Sequence, residues 1–413
     1  MSWLRRRDAR TFPYDAVVRE YHAVGKHFVS DEILRLLARV RAELPEIQSP
    51  WPALHRLATF LDVALDKPDG RYDYRSYLAL PLLELPAADD PIEQVPFARS
   101  RCDRLSAHLM ADVLAFELAA ADGQTTRLPH MRPSSAGTAK RLRLGVRAIR
   151  PTLERLTLVG GLTESDPVDL ARQVCTVVDA DMSVLERRLM GLTVLPVYTA
   201  HDEYLFLRVL QLFETTFALL SAQLRGAVNA LARRDTHRAV HYLRVAATAM
   251  RQAAPLFSML ATMQVEAFRT FRTYTDGASA IQSRNYKIFE ALCRQPDDAR
   301  VDSEAFYSVP EVRARVLAGQ ATLDDAYREA IAVGELSDQQ VDALRTAMAD
   351  FASVWLRWRQ THYRLAARML ADLRGTGSTD GTAYLASVRT IPVFHTVDAE
   401  SADSAADETV ARS

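Results

Sequence analysis

Apolar residues recur along this chain at helical spacing, and the clearest run lies towards its C-terminal end. Val341, Leu344, Met348, Phe351, Trp355, Trp358, His362, Leu365 and Met369 follow one another in steps of three and four. That spacing places them on one face of a single helix. Comparable patterns over residues 15–45, 52–65, 97–122, 137–157, 167–192, 203–233, 236–268, 281–294, 310–333 and 338–373 predict helices, and strand-like alternation is scarce. The expected fold class is all-α. Ser337 and Gln340 have the spacing of a capping box at the start of the last long helix, and Gly375 is placed to end it. Pro255 predicts a kink or break inside 236–268. Residues 203–268 read as a helical hairpin that turns at Arg233-Arg234-Asp235, and the proline-bearing stretches 85–91 and 128–135 read as loops.

Composition adds limits. With 48% hydrophobic and 25% charged residues, the 413-residue chain has the balance of a globular protein. Its 51 basic and 52 acidic side chains leave a net charge of −1, which gives no bulk argument for nucleic acid or an anionic membrane. Cys102, Cys175 and Cys293 are far apart and form no CxxC pair. A zinc site or disulfide framework is not expected, and a reducing cytoplasm fits. The basic start Arg5-Arg6-Arg7 is followed by no apolar run of signal-peptide length. No uninterrupted stretch approaches the ~18 apolar residues of a membrane helix. From about Thr396 the chain is acidic and rich in Ala and Ser, the composition of a disordered tail.

The polar exception in the 341–369 stripe is His362. A histidine there reads either as a core residue bonded to a neighbour or as a metal ligand. Trp355, Trp358 and Phe351 supply flat apolar walls beside it, and Arg359 and Arg368 flank the stripe where they can meet carboxylates. The polar loop Gly375-Thr376-Gly377-Ser378-Thr379-Asp380-Gly381 follows the helix. It lacks the Gly-Lys-Ser/Thr ending of a phosphate-binding loop, and no strand precedes it as in a dinucleotide fold. It reads either as a helix stop or as a flap over the face that carries His362. Arg284 and Lys287 lie at a helix start; Lys287 reads as a solvated lysine or as a counter-ion for a carboxylate.

Together these segments resemble the tryptophan 2,3-dioxygenases, within the superfamily of histidine-ligated haem-dependent aromatic oxygenases. Trp358-Arg359-Gln360-Thr361-His362 is similar to the family's WRxxH segment, and the 375–381 loop followed by Tyr384-Leu385 to its GTGGxxG…YL segment. Asp202-Glu203-Tyr204-Leu205-Phe206 resembles DExLF, Ser279-Ala280-Ile281-Gln282-Ser283 resembles SGFQS, and Tyr74-Arg75-Ser76-Tyr77-Leu78 resembles YxxYL. The resemblance covers about 70–85 and 200–395. It implies a helical bundle of that type, with haem b held through its iron by His362 and contacted by Trp358 and Ser279. It also implies a substrate pocket using Phe206, Lys287 and Thr376, with Tyr74 and Tyr77 reaching in from a neighbouring subunit of a homo-oligomer, a homotetramer in the family. Dioxygen and an aromatic amino acid are the implied partners, in the cytoplasm, with neither nucleic acid nor membrane.

The sequence departs from the family at named positions. Leu210 stands where the family has a distal histidine, Lys287 where it has a carboxylate-binding arginine, and Ala280 and Ser378 where it has glycine. Roughly 87–196 reads as a helical insert. The expected organisation is an N-terminal helical segment over 1–86, the insert, a haem-binding oxygenase core over 197–395, and an acidic tail over 396–413. The implied reaction is oxidative cleavage of the indole ring of L-tryptophan or a related substrate to an N-formylkynurenine-type product. The departures also admit three other readings. These are a mono-oxygenase of an aromatic amino acid, an indole-rearranging enzyme of the pyrrolnitrin type, and a catalytically silent haem-binding protein.

Overall fold

A computed structural model describes residue 3, residues 7–370 and residues 381–397. Among the described residues there is no strand; the one β-type contact is an isolated bridge between His130 and Ala200. The all-α expectation holds. In chain order the helices are α1 (Tyr14–Val24), α2 (Asp31–Glu43), α3 (Trp51–Ala64), α4 (Tyr74–Tyr77), α5 (Val95–Ala121), α6 (Ser135–Arg155), α7 (Pro167–Asp181), α8 (Val184–Leu192), α9 (His201–Ala232), α10 (Thr236–Leu260), α11 (Val265–Arg272), α12 (Arg284–Cys293), α13 (Asp298–Val301), α14 (Glu304–Tyr307), α15 (Pro310–Leu317), α16 (Leu323–Ala332), α17 (Asp338–Leu370) and α18 (Thr382–Val388).

Helix boundaries follow local chemistry. Gln340 N–H donates to Ser337 Oγ at 3.3 Å and Ser337 N–H to Gln340 Oε1 at 2.9 Å, so the expected capping box starts α17. Ser183 with Glu186, and Thr322 with Asp325, make equivalent boxes at α8 and α16. Those two caps split segments whose periodicity alone reads as continuous. The 15–45 segment likewise breaks at Gly25, whose φ of +83° ends α1. Pro255 gives no break: α10 runs through it to Leu260, and the interruption falls at residues 261–264. The expected turn between α9 and α10 is present, with Arg234 in the left-handed region at φ 61°. Gly226 of α9 packs so closely on the Tyr242 ring of α10 that an added Cβ would meet it at 2.9 Å.

Two compact units divide the chain. The first comprises 1–85, 103–212 and 258–282. One apolar core in it joins Phe12, Tyr14 and Tyr21 to Leu57, Phe60 and Leu61 of α3 and to Leu192 and Leu195. The second comprises 86–102, 213–257 and 283–413, and its core is built on α17, with Leu344, Met348, Phe351, Trp355 and Trp358 buried. Residues 201–212 of α9 count with the first unit and 213–232 with the second. α9 is long and apolar enough to cross a membrane by mean hydropathy, but 83% of that window is buried inside the protein. Core burial therefore accounts for its composition. All three cysteines are free. Residues 395–397 are helical, and Thr396 Oγ1 donates to Asp324 Oδ1 at 2.7 Å; residues 398–413 lie outside the described residues.

Candidate functional site

In the second unit α17 carries Trp358 and His362 one turn apart. Trp358 is buried at the hub of an aromatic cluster. Its ring lies 5.2 Å from Phe257, 5.6 Å from Phe213, 5.5 Å from Phe217 and 6.0 Å from Tyr286. His362 packs at the edge of this cluster, 5.3 Å from Trp358 and 6.0 Å from a nearly parallel Phe257. The stripe is buried from Leu344 to Trp358, whereas His362 keeps part of its surface open. Burial nevertheless pulls its pKa down to about 4. The imidazole is therefore neutral at neutral pH. Among the described residues it makes no hydrogen bond, so its unprotonated nitrogen remains available for a metal.

No three His, Cys, Asp or Glu side chains among the described residues come together as an ion cage. A lone neutral histidine would fit a metal that brings its other donors with it, as haem iron does. The flat walls of Trp358 and Phe257 suit the same group.

Helix α12 supplies the charged part. Ser283 caps it, with Ser283 Oγ accepting from Tyr286 N–H at 3.2 Å, and its residues from Lys287 to Cys293 are buried. Lys287 Nζ lies 3.9 Å from Glu290 Oε2 and 4.9 Å from the centre of the Tyr286 ring, beyond hydrogen-bond reach of either. Burial pushes its pKa down to about 7, with Arg300 adding repulsion. Arg300 Nη2 donates to both oxygens of Glu290, at 3.0 and 2.9 Å. Burial alone would raise the Glu290 carboxyl, but Arg300, Lys287 and Arg359 together hold it at about 2. Arg300 Nη1 also donates to Tyr384 Oη at 3.0 Å. Arg359 does meet a carboxylate, Glu290 at 3.6 Å, but its hydrogen bonds go to Tyr286 Oη and to the Ile391 carbonyl. Glu290 and Arg300 were absent from the sequence-based set. Glu290 was findable from its i,i+3 spacing to Lys287; Arg300 lies in a short helix that carries no motif.

The first unit gathers the other motif residues. Gln282 Oε1 accepts from Tyr74 N–H and from Ser279 N–H, each at 3.0 Å, and so fastens the YRSY turn to the SAIQS segment. Tyr77 Oη donates to Glu203 Oε1 at 3.2 Å. Glu203 also accepts from Val197 N–H at 2.6 Å and Tyr198 N–H at 3.0 Å, and burial still pushes its pKa up to about 8. Tyr74 and Tyr77 are thus buried within their own chain. Phe206 packs on Phe268 and Phe271 at 5.7 and 5.3 Å. Along 201–215 only Phe206 and Leu210 keep open surface. They stand one turn apart and make an apolar face with no titratable group. Thr376, with the rest of 371–380, lies outside the described residues.

Known proteins give a consistent answer. The chain is 29% identical to the tryptophan 2,3-dioxygenase of a Nocardioides species over 215 residues, 46% of this chain and 80% of the relative. It is 25% identical to that of Bradyrhizobium diazoefficiens over 48% of this chain and 83% of the relative. A second Bradyrhizobium enzyme of the same name is 26% identical over 52% and 88% respectively. These matches support a divergent member of the tryptophan 2,3-dioxygenase family. No family model matches it, and about half its length lies outside these alignments. The all-α architecture agrees with a tryptophan 2,3-dioxygenase-type fold.

Proposed function

We propose that the protein is a haem-dependent dioxygenase that opens the indole ring of L-tryptophan or a close relative to an N-formylkynurenine-type product. His362 carries this reading: a neutral imidazole, unpaired among the described residues, against flat aromatic walls. It would hold the iron of haem b, with Trp358 and Ser279 as further contacts, and the bound haem would supply the activation of dioxygen. The chain's own residues then bind and orient. Lys287 pairs with the substrate carboxylate, and Thr376 with its amino-acid group. Phe206 offers an aromatic wall, and Tyr74 and Tyr77 belong to the substrate-facing set, packed in cis. Phe206 and Leu210 exclude water and offer no side-chain base, so no proton is taken by a residue at that face. The protein works in the cytoplasm as a homo-oligomer.

The test is direct. Protein purified with haem supplementation should show a Soret band that His362→Ala loses and that His362→Gly regains with added imidazole. The ferrous protein given tryptophan in air should develop N-formylkynurenine absorbance. A Soret band unaltered by His362→Ala refutes the haem assignment. Leu210 favours one second reading. Turnover of a different aromatic amino acid with a single oxygen atom inserted, or rearrangement of an indole, would move the protein to a related biosynthetic enzyme. A Soret band without any turnover would leave a silent haem-binding protein.

A further inference from the structure

Lysine and glutamate three residues apart on one helix ordinarily pair with each other. On α12 they do not. Glu290 is the nearest carboxylate to Lys287, yet both of its oxygens accept from one nitrogen of Arg300. Arg359 stands a further 3.6 Å from Glu290 Oε1. The other carboxylate acting on Lys287 is Glu214, also buried, which accepts from Ser283 Oγ and from Asn285 Nδ2. Three cations, Lys287, Arg300 and Arg359, are therefore gathered round two carboxylates, and the surplus positive charge falls on Lys287. Among the described residues its ammonium makes no hydrogen bond. A buried charge left without a partner is costly, and the cost is relieved when an anion of single charge enters.

We propose that Arg300 is a positioning residue: by occupying both oxygens of Glu290 it denies Lys287 an internal counter-ion and keeps that ammonium free for the carboxylate of the substrate. The planar guanidinium outcompetes an ammonium for the carboxylate because it offers fixed, charge-assisted donors, and Tyr384 Oη holds its other arm in place. Remove Arg300, and a rotation of Glu290 closes the 3.9 Å gap to Lys287. The carboxylate subsite is then filled by the protein itself.

This inference rests on Lys287 being the carboxylate partner proposed above, and the experiment separates the two. Equilibrium dissociation constants are measured on the haem-loaded full chain, by calorimetry and by perturbation of the haem band. The ligands are L-tryptophan, indole-3-propionate (carboxylate only) and tryptamine (no carboxylate). Arg300→Gln should weaken the two carboxylate ligands about tenfold or more, as expected when one charge-assisted contact is lost. Tryptamine should change less than about twofold, and KM should rise with little change in kcat. The decisive variant is Glu290→Gln/Arg300→Gln. With the competing carboxylate gone, Lys287 is free again and affinity should return close to wild type. Arg300→Lys, which keeps the charge with a poorer grip, should fall between, and it carries the test if Arg300→Gln does not fold. Equal losses for tryptamine, an unaltered affinity in Arg300→Gln, or a double variant weaker than the single one would each overturn the role of Arg300. A wild-type protein that binds indole-3-propionate no better than tryptamine would overturn the assignment of Lys287 itself, and Arg300 with it.

Discussion

If Lys287 receives the substrate carboxylate, affinity must depend on pH in a way an arginine would not impose. Burial and the neighbouring guanidinium of Arg300 bring the Lys287 ammonium from its ordinary 10.5 down to about 7. A carboxylate arriving beside it favours the charged form, by about 1–3 pH units for such a pair. Below pH 7 the ammonium is already charged and binding is at full strength. Above pH 7 each ligand must first recharge it, so affinity falls about tenfold per pH unit until the pKa of the complex is reached. With the middle of that range, the total loss is roughly 100-fold, or about 2.7 kcal/mol.

Indole-3-propionate is the right probe, because it carries no ammonium and its carboxylate is ionised throughout. Of the neighbours of Lys287, Arg300 is raised further above the range and Glu290 is held at about 2, so neither titrates in this window. Its dissociation constant, followed from pH 6 to 9 at fixed ionic strength, should be flat below 7 and rise above it. Calorimetry at pH 7 in buffers of different ionisation enthalpy should detect uptake of roughly half a proton. Lys287→Arg should abolish the slope, since its guanidinium stays charged. A flat wild-type profile, or the same slope in Lys287→Arg, would refute the reasoning.

Two further predictions concern the frame of the first unit. Arg141 is fully buried and donates to Glu117 Oε1 at 2.9 Å and to Asp202 Oδ1 at 2.6 Å. Arg141→Met should cost about 3–5 kcal/mol by stranding two carboxylates, read as a lowered urea midpoint; a change under about 1 kcal/mol would show that water reaches the pair. Gly25 combines φ +83° with a position where an added Cβ would lie 2.7 Å from Tyr198 Cα and the Val197 carbonyl, whereas Gly70 has φ +67° and open space. Gly25→Ala should therefore lower the melting temperature by several degrees, and Gly70→Ala by clearly less; equal shifts would mean that dihedral strain alone, not the close approach, sets the cost.

The sequence carried what is periodic and local. The stripe from Leu344 to Trp358 is buried as its spacing requires, the Ser337 box caps α17, and Arg234 turns the hairpin. The breaks at Gly25 and at Ser183 were hidden because apolar spacing continues across them while a single residue changes direction. The charged half of the site was legible only in part. Lys287 could be named from its motif, but its burial depends on partners that the motif does not contain. Arg300, which donates to Glu290, and Tyr384, which accepts from Arg300, come from segments 10 and 94 residues beyond Glu290, joined by hydrogen bonds that have no signature in one sequence.

The segment that resemblance marks as additional is tied to the motif helix by buried charge rather than by apolar packing alone. From α5, Glu117 accepts from Arg141 of α6 and lies 3.2 Å from His201 Nε2, while Arg141 grips Asp202. Also from α5, Asp112 accepts from Tyr204 Oη at 2.6 Å and from Arg208 Nε at 2.7 Å. His201, Asp202, Tyr204 and Arg208 are spread over the first turns of α9, which also carry Phe206 and, just beyond Arg208, Leu210. Each of these contacts has an ionised partner, so losing the added helices would leave buried charges unpaired, at a cost that apolar repacking does not recover. The rotation of α9 about its own axis is therefore fixed by α5 and α6, and with it the direction in which Phe206 and Leu210 present their open face. If Phe206 and Leu210 face the substrate as proposed, a change of preference away from the family's pattern need not come from those two residues alone. It can come from the charge network behind them, which sets where they point.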